Sequence, residues 1–530
     1  MKKNILLSPL LVLFSAGILF SQGKPGNPFD VIRYEFIIRI NDSTDIIYSQ
    51  ATSQVRFTAP SGIVGFDFRS PGSDGRGMKV SLVTVNGKNA GWRHEGGKLV
   101  ITCGENFSAG SAAVITVVYS GIPADGLIIS KNRFGSRTFF SDHWPDRASY
   151  YLPVVDHPSD KAQVDFVIIA PVSYQVVAAG ILTEQSNVEG NSRLTRWHEE
   201  VPLPVKVMAF GAAGFATQLA GFAGEIPVWT WVYPENRKEG FNDYAPAVKA
   251  LSFFEEMIGP YPFKKMASVQ SKTIFGGLEN ASCIFYSENS VTGHGRAESL
   301  IAHEMVHQWF GNSVTEKDWQ HIWLSEGFAT YLTAVYLEMN YGRERFVAEM
   351  KQARDRLLRY YDKNPSPVID TLNKNPMNLL NANSYQKGAW VLHMLRCEIG
   401  DEKFFKGVRL FYQRFRNSNA ETSDFRKVME EVSDKDLDLF FRQWLVMTGQ
   451  PELLISTKPG RKGFTDIVIR QKQADIFSFP LDLLVKGSDG DIKETVRIRE
   501  RNTVISVKEE TIKEIIPDPG TRLLFRNAER

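Results

Sequence analysis

From Val31 to about Thr217, apolar and polar residues alternate in short runs bounded by turn residues, the period of half-buried strands. Tyr34–Ile40, Val55–Thr58, Val64–Phe68, Val114–Tyr119, Val164–Ile169 and Tyr174–Ala179 are such runs. Asn86-Gly87, following Val83-Thr84-Val85, predicts a two-residue hairpin turn, because both turn positions need positive φ. After Glu225 the period changes. From Tyr244 to about Trp444, apolar positions recur three and four apart, as on helices packed against a core. Pro246–Ile258 predicts one helix, with Pro246 suited to its first turn. Phe404, Phe405, Val408, Phe411, Tyr412 and Phe415 make the apolar face of another, and Thr422-Ser423-Asp424 offers caps for a helix over Phe425–Val432. Beyond Gly449 strands return: Leu453–Thr457 and Thr465–Arg470 around Lys458-Pro459-Gly460, then Leu481–Val485, Thr495–Ile498 and Val504–Val507. The fold class expected is α+β and multidomain. Residues 24–217 form a β-rich N-terminal domain, 218–449 a mainly helical domain and 450–530 a small β-sandwich.

Composition agrees with a large folded chain. Of 530 residues, 43% are hydrophobic and 23% charged, which excludes a disordered, collagen-like or coiled-coil protein. Lys+Arg (62) and Asp+Glu (60) nearly cancel, so no nucleic-acid partner is expected. The first residues stand apart. Met1-Lys2-Lys3-Asn4 leads into the apolar run Ile5–Phe20, broken by Ser8-Pro9 and Ser15, and then into Ser21-Gln22-Gly23. That order is the layout of a secretory signal peptide over residues 1–23. The run is too short and interrupted for a membrane anchor, and no later segment is apolar enough to cross a bilayer. The expectation is an exported protein, periplasmic or extracellular, with no membrane span in the mature chain. Cys103, Cys283 and Cys397 are odd in number and lack CxxC spacing, so they are expected as small buried hydrophobes.

The middle segment contains His303-Glu304-Met305-Val306-His307. Ser299–Ala302 and Gln308–Phe310 can extend it as a helix, with Gly311-Asn312 as its stop. Positions i and i+4 share a helix face, so both imidazoles can bind one metal ion. Glu304 lies beside the first of them, placed to act on a water without ligating the metal. With nine His, this five-residue pattern arises by chance on the order of once per hundred such chains. A third candidate ligand makes the pattern specific. Trp323–Leu332 reads as a second helix carrying Glu326, and the 18 residues between His307 and Glu326 suffice for one turnaround between packed helices. Two His and one Glu form the nitrogen and oxygen set of hydrolytic zinc enzymes, which keep a fourth position open for water. Manganese or cobalt would also fit; zinc, one per chain, is the expectation.

H-E-x-x-H, 18 residues, and then the E of W-L-x-E-G-F-A resembles the signature of the aminopeptidase N-type zinc metallopeptidases. These are gluzincins with a thermolysin-like catalytic domain, and they include the bifunctional leukotriene hydrolase/aminopeptidase. Phe275-Gly276-Gly277-Leu278-Glu279-Asn280 resembles the family's G-x-M-E-N exopeptidase motif, and Ser384-Tyr385-Gln386-Lys387-Gly388-Ala389 its Y-E-K-G segment. Val201-Pro202-Leu203-Pro204 to Phe210-Gly211 resembles the join before the catalytic domain, and Pro153–Pro158 a P-x-x-D-x-P stretch of the N-terminal domain. The resemblance covers nearly all of the chain beyond residue 23. It implies a thermolysin-like fold for 218–449 and hydrolysis of the first peptide bond of peptides with a free N-terminus. In the roles it implies, zinc polarises the scissile carbonyl and Glu304 is the general base. Tyr385 steadies the oxyanion, with Ser384 as an N-cap that puts Tyr385 at a helix start. Glu279 and Asn280 belong to the motif that binds the substrate's α-ammonium, and Gly276 and Gly277 would let the substrate backbone approach closely.

The chain also departs from the family pattern. Leu278 stands where the exopeptidase motif has Met. An ungapped count puts Trp144, with Asp142 nearby, where the family often has a second amine-binding Gln or Glu, and leaves open which of the two completes the site. Thr333, seven residues beyond Glu326, stands where many relatives have Glu. The chain stops after the small β-domain, without the large helical domain of most relatives, so a more open cleft is expected. Other readings are an endopeptidase, which would not need Glu279, and an epoxide hydrolase using the same zinc and Tyr385. A third is a non-catalytic peptide-binding protein, which the intact set of site residues argues against.

Overall fold

The structure is a computed structural model that describes residues 24, 26–488 and 490–528. The leader expected over residues 1–23 lies outside the described residues.

The alternating runs of the N-terminal segment build an eight-stranded sheet with Phe29–Arg39 in its middle. That strand pairs antiparallel with Ile47–Phe57 and parallel with Lys161–Pro171. Its alternation is the cause: Tyr34, Phe36 and Ile38 are fully buried on one face, which is the side-chain period of a strand. Asn86 (φ 49°) and Gly87 (φ 76°) turn the expected hairpin between Gly77–Val85 and Lys88–Asn89. Three- and four-stranded sheets complete this β-rich part.

The helical part opens on a five-stranded sheet, in the spatial order Ala216–Ala223, Ile226–Val232, Met266–Ser271, Cys283–Ser287 and Gly277–Leu278. The last is a two-residue edge strand, with Gly277 opposite Tyr286 and Leu278 opposite Phe285. Helices follow: Pro246–Ile258 as expected, then Glu298–Val306, Trp323–Tyr341, Arg343–Tyr361, Gly388–Ile399, Asp401–Phe415 and Thr422–Ser433. Phe404, Val408, Phe411 and Tyr412 are buried, so this aromatic face is core. Two local expectations are corrected. The helix expected to run through Phe310 ends at Val306, because Gln308 and Trp309 tighten onto the carbonyls of Met305 and Val306. The helix Thr422–Ser433 starts at the first of its expected caps: Glu421, one residue earlier, is the N-cap, in a reciprocal capping box with Asp424.

After Gly449, two sheets of four and three strands face one another as a β-sandwich, with Ile467 and Ile469 on one and Leu481, Leu483 and Val485 on the other. Cys103 and Cys283 are buried, Cys397 is half-buried, and all three are free thiols. No helix among the described residues is long and apolar enough to cross a membrane.

The β-rich part is bolted to the helical part close to the motif helix. Buried Lys161 donates to the carbonyls of Asn312 (3.1 Å) and Ser313 (2.7 Å), and buried Lys206 pairs with Glu316. These bonds hold the turn that leaves the motif helix.

Candidate active site

The loop entering the motif helix is pinned first. Asp243 accepts from the backbone N–H groups of Thr292 (2.6 Å), Gly293 (2.7 Å) and Gly295 (2.7 Å). Burial would raise its pKa, but those donors hold it below the ordinary carboxylate value. Glu298, in the helix's first turn, accepts from Tyr336 (2.8 Å) and Tyr341 (2.5 Å) of the neighbouring helix Trp323–Tyr341. The two helices that carry the candidate ligands are therefore locked side by side.

That packing brings His303, His307 and Glu326 together. Their nearest ligand atoms all lie within 4.8 Å of one another. His303 Nε2 and His307 Nε2 are 3.2 Å apart, and Glu326 Oε2 is 3.5 Å from the first and 3.3 Å from the second. At a Zn–N distance of about 2.0–2.1 Å, tetrahedral neighbours stand roughly 3.3 Å apart, so the three atoms already sit on the corners such an ion requires. Glu326 Oε2 is buried with no hydrogen-bond donor, an orphan that a cation would satisfy. His307 turns Nδ1 to the Phe310 carbonyl (3.2 Å) and the Ser325 hydroxyl (3.0 Å), which leaves Nε2 for the ion. The residues fit a divalent metal.

Glu304 is only 5% exposed and packs under the edge strand. A Cβ added at Gly277 would lie 2.3 Å from Glu304 Oε1, whereas one at Gly276 would meet nothing within 4 Å. Gly277 is thus a space-making residue for Glu304, a role distinct from the expected room for substrate. Burial raises the Glu304 carboxyl to about 8; His307 pulls it down, and Glu279 and Glu326 push it up. Burial lowers the His303 imidazole against the pull of Glu326. His307 is also buried, yet Glu326 raises it to about 10, and in return His307 and His303 hold Glu326 low against burial. A bound cation would act on all four in the opposite sense to a proton, favouring neutral imidazoles and charged carboxylates.

Tyr385 lies on a π-helical turn, Asn383–Lys387, that runs into Gly388–Ile399. Its ring lies parallel to that of His303, 6.1 Å away. Burial first, then Glu326 and Glu279, keep its hydroxyl protonated far above the ordinary phenol range. Ser384 is not the expected N-cap: its hydroxyl donates to the Leu379 carbonyl (2.7 Å), and the turn has no side-chain cap. What seats Tyr385 is a glycine contact. A Cβ on Gly388 would come 2.9 Å from Gly327 Cα, so the two helices touch backbone to backbone directly beside Glu326.

Glu279 and Asn280 are buried at the end of the edge strand. The Glu279 carbonyl accepts from Gln308 (3.0 Å) and Asn312 (2.7 Å), both on the turn that follows His307. Its carboxylate accepts from the Trp144 indole N–H (2.5 Å), its only hydrogen-bond donor among the described residues. Asp142 plays another part: it pairs with Arg147 and accepts from Thr273 Oγ1 (3.0 Å) and Ile274 N (3.1 Å), which anchors the loop into the motif. Of the two candidates, Trp144 touches the Glu279 carboxylate, while Asp142 is bonded to Arg147, Thr273 and Ile274. One cleft is lined by Trp144, Gly277, Glu279, His303, Glu304, His307, Glu326 and Tyr385.

Comparison with known proteins agrees with this geometry. Residues 243–444 match the sequence profile of the Peptidase family M1 domain. The chain is similar to a glutamyl aminopeptidase of Rattus norvegicus, with 27% identity over 60% of this chain and 35% of that protein. It is also similar to a probable aminopeptidase 2 of Sulfurisphaera tokodaii, with 25% identity over 78% of this chain and 55% of that one. The chain thus spans about a third to a half of the length of these curated relatives. Among solved structures, an M1 zinc metallopeptidase from Deinococcus radiodurans superposes with a TM-score of 0.66, at 21% identity, over 79% of this chain and 94% of that one. It shares the fold.

The chain carries a peptidase M1 domain over residues 243–444.

Against the M1 pattern, Leu278 is a buried apolar replacement for Met that keeps its place in the edge strand. Thr333 donates back to the Ala329 carbonyl (2.7 Å) of its own helix, so it supplies no carboxylate to the ligands. Sequence reasoning missed Ser325, Gln308, Asn312 and Gly327 as parts of an M1 site. Ser325 and Gly327 flank Glu326 and were within reach of the motif; Gln308 and Asn312 carried no signal of their own.

Proposed function

We propose that this protein is an exported zinc aminopeptidase, holding one zinc per chain and removing the N-terminal residue of peptides. The observation that carries this reading is the Glu279 carboxylate, buried on the same cleft as the three ligands and Glu304. A buried carboxylate with one neutral donor is a strong receptor for an ammonium group. An endopeptidase would have no use for it.

Zinc held by His303, His307 and Glu326 would supply Lewis acidity, polarising the scissile carbonyl and lowering the pKa of a water. Glu304 takes the proton of the attacking water on its carboxylate and returns it to the leaving amine. Tyr385 keeps its proton and donates a hydrogen bond to the carbonyl oxygen as charge grows there. Glu279 accepts N–H bonds from the α-ammonium and so sets the first peptide bond over Glu304. Export rests on the leader pattern of residues 1–23.

A panel of aminoacyl-arylamides tests the reading. Turnover that stops with a chelator, returns with zinc and vanishes on N-acetylation is expected. Equal cleavage of acetylated and free-amine substrates would overturn it. Glu279→Ala is expected to raise KM for free-amine substrates by roughly tenfold to a hundredfold, the worth of a hydrogen bond to a charged group. An unchanged KM would remove its anchoring role.

A further inference from the structure

A second cavity, of about 340 Å³, meets the cleft at His303 and Tyr385 but is lined by none of the residues around Glu279. Three helices enclose it. Ser299 and Leu300 come from the motif helix, and Thr330, Thr333 and Ala334 from the helix that bears Glu326. Met350, Gln352, Ala353 and Arg356 come from Arg343–Tyr361, at spacings that share one helical face. Its two charged side chains beyond the metal ligand differ in state. Glu349 is paired with Arg345 at 2.7 Å. Arg356 has no ion-pair partner among the described residues and stands exposed at the wall.

This placement has a direction. The amine anchor and the ligands His307 and Glu326 lie in the first cleft, and the third ligand, His303, stands with Tyr385 at the join, so a substrate bound by its ammonium must send its second residue past His303 and Tyr385. There it meets a cavity with room for a side chain and an unpaired guanidinium. Guanidinium is a planar fork that matches a carboxylate with two parallel hydrogen bonds.

We infer that this cavity receives the residue after the scissile bond and that Arg356 pairs with its C-terminal carboxylate, so that the preferred substrates are dipeptides with both ends free. The inference rests on the aminopeptidase reading above. The same chemistry could also come from an acidic side chain in the second position of a longer peptide, so the test has separate arms.

The experiment compares four substrates with one common first residue: an arylamide, an X-Leu dipeptide, its C-terminal amide, and X-Asp amide. Wild-type protein is expected to favour X-Leu over X-Leu amide by roughly fivefold in kcat/KM, the scale of a partly exposed charge pair. In Arg356→Ala that preference should fall to near one with the arylamide rate unchanged, and Arg356→Lys should restore part of it. Calorimetric titration of Glu304→Gln protein with X-Leu and its amide should give the same order of affinities, independently of turnover. Failure of the arylamide would refute the aminopeptidase reading. A working arylamide with equal rates on acid and amide would overturn this inference alone. So would an advantage confined to X-Asp amide, which would reassign Arg356 to an acidic side chain.

Discussion

Replacing Glu304 by Gln is expected to leave one zinc bound per chain and to lower kcat by roughly a hundredfold to ten-thousandfold, the range of a lost general base. The substitution keeps volume and shape, so the packing under Gly277 survives and no ligand moves. What it removes is the ability to accept a proton. KM should change little, because Glu279 and not Glu304 holds the ammonium. Metal analysis and steady-state kinetics on the same preparation decide the matter. Retained zinc with wild-type turnover would deny Glu304 its role, and lost zinc would mean that Glu304 supports the ligands instead.

Gly277→Ala is expected to lower kcat/KM by about a hundredfold with the metal still bound. The new methyl carbon would stand 2.3 Å from Glu304 Oε1 and 2.7 Å from its Cγ, far inside van der Waals contact. The backbone at Gly277 does not need positive φ, so an alanine fits the strand itself and thermal stability should hold. The strain falls on the carboxylate, which must swing away from the water it serves, and displacing a catalytic group by about 1 Å costs on the order of a hundredfold. The discriminating measurement is the rate together with the melting temperature. A large loss of both would mean that the edge strand has come apart, and wild-type activity would mean that Glu304 reaches its water from another rotamer.

How much could be foreseen follows from how far apart the partners lie in the chain. His303 and His307 are one helical turn apart, so their shared face was legible from spacing, and Glu326 followed from the length of a single turnaround. Glu279 follows a two-residue edge strand and Tyr385 lies on a π-helical turn, and nothing local marks either; only resemblance to a family singled them out. The Trp144–Glu279 bond joins residues 135 positions apart, which no periodicity can encode. The Gly277–Glu304 and Gly327–Gly388 contacts were hidden for a related reason: a glycine's value lies in what approaches it, and that neighbour is visible only in the fold. The strands were legible because burial on one face imposes a two-residue period along the chain. The end of the motif helix and the cap of Thr422–Ser433 were misplaced by a few residues, because tertiary bonds decide where a helix stops.

The bonds from Gln308 and Asn312 to the Glu279 carbonyl make the spacing between amine receptor and metal a property of one turn of chain. To release two residues per cut, the receptor would have to retreat by about 3.5 Å, the length of one extended residue. Hydrogen bonds tolerate only a few tenths of an ångström before they weaken. The site is therefore a ruler with a single graduation. A peptide shortened by one residue no longer spans it and must let go, slide forward and seat its new end before the next cut, so long chains would be trimmed in discrete steps, with a binding event for each.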